Sequence, residues 1–111
     1  MTPASQPAFD LAPERVAELL GSDQVDLIDV REPHEWEIVH IDAARLIPLG
    51  QLPERLTELD GHAEIVTHCH HGARSMKALE ILRGAGYGKV RSLAGGIDAW
   101  AERVETGLPR Y

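Results

Sequence analysis

The residue best equipped for covalent chemistry is Cys69, the only cysteine among 111 residues. A thiolate is a strong nucleophile and can carry sulfur, and its surroundings decide whether it does so. His70-His71-Gly72-Ala73-Arg74-Ser75 follow it directly. Glu64-Ile65-Val66-Thr67-His68 before it reads as a short strand, and a helical pattern begins at about Arg74. A tight connection from a strand end to a helix start turns several backbone N–H groups towards whatever Cys69 holds. Those donors and the partial positive charge of a helix N-terminus favour the thiolate over the thiol. Gly72 permits the turn, and Arg74 is the one permanent cation of the loop. A lone cysteine after a strand is more simply a small buried hydrophobe. Two histidines, a glycine and an arginine packed into the next five positions count against that account.

The elements that must position this loop alternate between strand-like and helical patterns. Leu11, Val16, Leu19 and Leu20 mark one helix face, with Pro13 near its first turn and Gly21 at its end. Val25 to Val30 is a short apolar run that reads as a buried strand, stopped by Arg31-Glu32-Pro33. A short helix around Glu35 to Val39 and a brief strand at Arg45-Leu46-Ile47 follow. Leu52, Leu56 and Leu59 recur at helical spacing, with Pro53 in the first turn. After the Cys69 loop, Met76, Leu79 and Leu82 mark a helix that closes at Gly84-Ala85-Gly86. Lys89 to Leu93 is a last strand, and Gly95-Gly96 leads into a helix carrying Ile97, Ala99 and Trp100. This alternation predicts an α/β fold with a mostly parallel central sheet and helices on both faces. Function in such sheets gathers at the carboxyl ends of the strands. Residues 1–7 read as a flexible N-terminal tail, and residues 8–111 as one domain.

Charge and composition narrow the partners. Eleven Lys and Arg against 18 Asp and Glu give a formal net charge of −7, a field that repels polyanions. Nucleic acid and anionic membrane surfaces are therefore not expected as partners, and any anion site must be made locally. No apolar run has the length of a membrane span, no signal pattern opens the chain, and a single thiol forms no intrachain disulfide. These features suit a cytoplasmic setting.

Four stretches together resemble the rhodanese family. Cys69-His70-His71-Gly72-Ala73-Arg74-Ser75 is similar to its active-site loop, and Leu27-Ile28-Asp29-Val30-Arg31-Glu32 to its first signature. His40-Ile41 with Ile47-Pro48 resembles the second, and Leu93-Ala94-Gly95-Gly96-Ile97-Asp98-Ala99-Trp100 the closing element. The family usually has glycine where this chain has Val39 and Ala43, which questions local turns rather than the chemistry. The resemblance implies a rhodanese-like fold and a sulfurtransferase in which Cys69 takes a sulfane sulfur and holds it as a persulfide. It implies that the backbone of His70 to Arg74, with Ser75 at the helix start, cradles that sulfur. Arg74 would orient the loop or meet an anionic donor, and Asp29 and Arg31 would support it. The donor would be thiosulfate or a low-molecular-weight persulfide, and the acceptor a thiol, cyanide or another protein. Such double displacement needs neither metal nor organic cofactor.

Three other readings compete. A Cdc25-type phosphatase has a related cysteine–arginine loop, but one residue longer, with room for a tetrahedral phosphate. Here His70, His71, Gly72 and Ala73 alone intervene, which suits a single sulfur atom. A metal site from His68, Cys69, His70 and His71, joined by His62, draws on adjacent side chains, which diverge and make a poor tetrahedron. A binding or sulfur-relay module of the same fold is the third reading. Modules without catalysis typically replace the cysteine, whereas this chain keeps Cys69 and Arg74. Gly95-Gly96 reads as a turn and close-packing device rather than a phosphate site, since the dinucleotide fingerprint is absent.

Overall fold

A computed structural model describes residues 9–61 and 63–111; the expected tail over 1–7 and His62 lie outside the described residues. Among the described residues there are five strands, β1 (Asp10–Leu11), β2 (Val25–Asp29), β3 (Arg45–Leu46), β4 (Glu64–His68) and β5 (Val90–Leu93). Every pairing between them is parallel, in the order β1-β5-β4-β2-β3. The helices are α1 (Pro13–Gly21), α2 (Pro33–Ile38), α3 (Ala73–Gly84) and α4 (Gly96–Arg103).

Alternation along the central strands assigns each residue to one of two cores. Ile28, Ile65 and Val90 pack with Ala78, Leu79 and Leu82 of α3. Leu27, Val66 and Leu93 pack on the other face with Val16 of α1 and Ile97 and Trp100 of α4. In α3 the buried residues Ser75, Ala78, Leu79 and Leu82 lie one and two turns apart, so one stripe faces the sheet. Burying each large aliphatic side chain contributes about 1.5–3 kcal/mol. Among the described residues, no helix is long and apolar enough to cross a membrane.

Two expectations need correction. Leu11 does not open the first helix but lies in β1, which pairs with β5 through Asp10↔Ser92 and Leu11↔Leu93. A two-residue strand is too short for periodicity to reveal it. The Leu52, Leu56 and Leu59 stretch forms two 3₁₀ turns, Leu49–Glu54 and Leu56–Glu58, rather than an α-helix. Their bonds run from Arg55 N–H to Leu52 O and from Leu59 N–H to Leu56 O, both 3.0 Å. Pro53 has no N–H with which to extend an α-helical ladder.

The register does most to build the site. Asp29 at the end of β2 lies opposite His68 at the end of β4. The segments that begin at Val30 and Cys69 therefore leave the sheet side by side at its carboxyl edge.

Candidate active site

Between His68 and the first residue of α3, Ala73, the chain makes one tight loop around the Cys69 sulfur. Cys69 is buried, with 1% exposure. Among the described residues, the backbone N–H groups of Gly72 and Ser75 reach Sγ, at 3.1 and 3.3 Å. Gly72 has φ +131°, a conformation that strains an L-residue, and this aims its amide inward. The Ser75 hydroxyl donates to Gly72 O at 3.0 Å and bonds to the Ser92 hydroxyl at 2.8 Å. Thr67 Oγ1 donates to Ser75 O at 2.9 Å, so β4 and β5 brace the start of α3.

The outer side of the loop rests on α4. Ile97 N–H donates to Cys69 O at 2.8 Å, and Asp98 N–H to His70 O at 3.1 Å. A Cβ on Gly96 would fall 2.6 Å from Cys69 O and closer still to His70 O. The glycine pair is thus a close-approach device, and the carbonyls it faces belong to the Cys69 loop.

Arg74 does not stand free to meet a ligand. Its guanidinium makes a two-pronged pair with Glu35 of α2, at 2.6 and 2.9 Å. The Arg74 bonds hold the Glu35 carboxyl well below the usual carboxylate range, and Glu35 in turn raises Arg74. Glu35 also accepts from Glu32 N–H and from the Tyr111 hydroxyl, at 3.0 and 2.7 Å. Arg31 and Asp29 form a fully buried pair, with Nη2 2.7 Å from Oδ2. Arg31 also donates to Val39 O at 2.7 Å and to the Tyr111 hydroxyl at 2.8 Å. The Tyr111 ring lies flat on His70, with centroids 3.9 Å apart and planes 3° apart.

The other histidines are placed by packing. His68 is fully buried, with Nε2 3.7 Å from Asp29 Oδ2. Burial pushes its pKa below the ordinary value. Burial and the neighbouring His71 do the same to His70. His70, His71 and Asp98 bring one ligand atom each within 4.8 Å of one another. The His70 and His71 rings are stacked, with centroids 3.9 Å apart. Asp98 is held by Arg110 at 3.0 and 3.1 Å. On the side of the loop facing β1 and β5, an open cleft of about 390 Å³ is lined by Asp10, His71, Gly72, Ala73, Met76 and Leu93, among others.

The model of the rhodanese-like domain matches residues 12–103. The chain belongs to the rhodanese-like domain family. Within it, the chain is 38% identical over 91 residues to a sulfurtransferase of Allochromatium vinosum, covering 82% of each. It is also 38% identical over 104 residues to the probable adenylyltransferase/sulfurtransferase MoeZ of Mycobacterium tuberculosis. That match takes 91% of this chain but spans only 26% of MoeZ. Among solved structures, the human single-domain sulfurtransferase TSTD1 superposes with a TM-score of 0.80 at 25% identity, over 86% of this chain and 96% of that one. A rhodanese-related protein of Thermoplasma volcanium gives 0.77 at 29%, over 90% and 94%.

Neither departure from the rhodanese pattern disturbs a turn. Val39 has φ −165°, extended backbone open to any residue. Among the described residues, the one non-glycine with positive φ is Asp23, so Ala43 needs no glycine. Sequence reasoning missed Glu35 and Tyr111. The reciprocal Glu32–Glu35 cap was a readable signal for a helix start there. Nothing in the linear sequence ties Tyr111 to the loop.

Proposed function

We propose that this chain is a sulfurtransferase that carries sulfane sulfur as a persulfide on Cys69. The observation that carries this reading is the sulfur of the only cysteine, ringed by the Gly72 and Ser75 amides at the start of α3. The Cys69 thiolate attacks the outer sulfur of a donor, the donor's S–S bond breaks, and the leaving group departs with the bonding electrons. With thiosulfate the leaving group is sulfite; with an organic persulfide it is a thiolate. An acceptor thiolate or cyanide then takes the sulfur and restores the Cys69 thiolate, giving a persulfide or thiocyanate. Amides aimed at an anionic sulfur stabilise both the thiolate and the persulfide it becomes. Arg74 holds the loop through Glu35, and Asp29 and Arg31 hold the wall behind it.

Residues 8–111 act in this reading as one catalytic domain, in a reducing, cytoplasmic setting that keeps the thiol available. The four residues between Cys69 and Arg74 favour a sulfur atom over phosphate. The test is intact mass after exposure to thiosulfate or glutathione persulfide. A gain of one sulfur, removed by cyanide or reductant and missing in Cys69→Ser, is the expected result. An unmodified wild-type protein would refute it. The match to one part of MoeZ favours a second reading, in which the persulfide passes to a protein acceptor. Loading without turnover on small thiols or cyanide would select that relay.

A further inference from the structure

We infer that this site selects a singly charged organic persulfide as its sulfur donor and discriminates against the thiosulfate dianion. The inference rests on the sulfurtransferase reading and specifies its substrate. Two donors of one sulfur differ in what they carry besides that sulfur. Thiosulfate brings a sulfonate group, which needs an uncompensated cation or several free donors. An organic persulfide brings a carbon chain, which needs only room.

The guanidinium groups around the loop are all spoken for. Arg74 is clamped by Glu35, Arg31 is buried against Asp29, and Arg110 is held by Asp98 with Glu102 3.6 Å away. Glu35 and Asp29 each bind their arginine through both carboxylate oxygens, so neither cation projects a bare charge towards an incoming ligand. Burial disfavours the charged form of His70. The cleft beside the loop is lined by Asp10 and, among the described residues, by no Lys or Arg. A net charge of −7 over the whole chain adds a repulsive field.

What remains to receive a donor is small and local. Two amides converge on the sulfur position itself and are bonded to it. Beside them, Ala73, Met76, Leu93 and Ala94 give the cleft an apolar wall for a carbon chain. The step balances without any added oxidant. The Cys69 thiolate bonds to the outer sulfur of R–S–SH, the S–S bond breaks, and R–S⁻ leaves with the electron pair. The sulfane sulfur keeps its oxidation level on Cys69.

The experiment compares kcat/KM for cysteine persulfide, cysteamine persulfide and thiosulfate with cyanide as the common acceptor. Wild type is measured beside Glu35→Gln and Asp98→Asn, which release Arg74 and Arg110 respectively. The readout is the thiosulfate-to-persulfide ratio, which cancels losses common to both donors. The ratio is expected to be far below unity in wild type and to rise about tenfold in each variant, the scale of one charge gained near a binding site. Should Glu35→Gln fail to fold, Asp98→Asn, at a half-buried position, carries the test. A wild-type ratio near or above unity, or ratios unchanged in the folded variants, would overturn the inference while both donors still load Cys69. Loading by neither donor would instead bring down the sulfurtransferase reading and this inference with it.

Discussion

Gly96→Ala is expected to damage the active-site loop from outside it. Gly96 sits at φ +63°, where an L-residue costs about 1–2 kcal/mol. Its new Cβ would meet backbone, the Cys69 and His70 carbonyls, rather than a side chain that could swing aside. The start of α4 must then retreat, stretching Ile97 N–H to Cys69 O and Asp98 N–H to His70 O. Losing those two bonds adds about 0.5–1.5 kcal/mol each. Together the terms give about 2–5 kcal/mol, a large part of the ~5–15 kcal/mol that holds a domain of this size. Urea unfolding followed by the fluorescence of the buried Trp100 measures the loss, and cyanide-coupled sulfur transfer should fall with it. Gly84→Ala is the control: nothing lies within 4 Å of its added Cβ, and α3 should be unchanged or gain up to about 1 kcal/mol. A Gly96→Ala protein within about 0.5 kcal/mol of wild type and fully active would refute the idea that α4 sets the loop.

Three further outcomes are expected. Stability should fall as pH drops below 6.5, because the unfolded state protonates His68 at its ordinary value while the buried ring refuses the proton. The slope is at most about 1.4 kcal/mol per pH unit for one group, and urea unfolding from pH 8 to pH 5 should show it flattened in His68→Gln. Inserting one residue between Gly72 and Ala73 moves the Ser75 amide away from the sulfur. Transfer should drop sharply in a protein still folded by circular dichroism, and undiminished transfer would mean that loop size does not set the chemistry. Tyr111→Phe keeps the His70 stack but breaks the link between Arg31 and Glu35, while Tyr111→Ala loses both. Transfer should decline in that order, by about tenfold for alanine, the scale of ~1.4 kcal/mol, and equal activity in all three proteins would leave Tyr111 without a positioning role.

The parts of this protein readable from sequence are those whose cause is local. The run from Cys69 to Ser75 is contiguous, so its only thiol, its turn glycine and the helix behind it are all visible within one short segment. The strands β2, β4 and β5 announce themselves as short apolar runs between turn residues, and their alternation with helices implies the parallel sheet. Tertiary structure decided the charge state of the site. Arg74 looks free in sequence because Glu35 lies on another helix, and the two meet only when the Asp29↔His68 register brings β2 and β4 together. The same holds for Tyr111 on His70 and for Gly96 beneath the Cys69 carbonyl, contacts between segments far apart in the chain. Residue types and spacing determine which groups could act. Only the packed structure determines which charges are already cancelled, because an ion pair depends on distances of a few ångströms that the linear sequence does not encode.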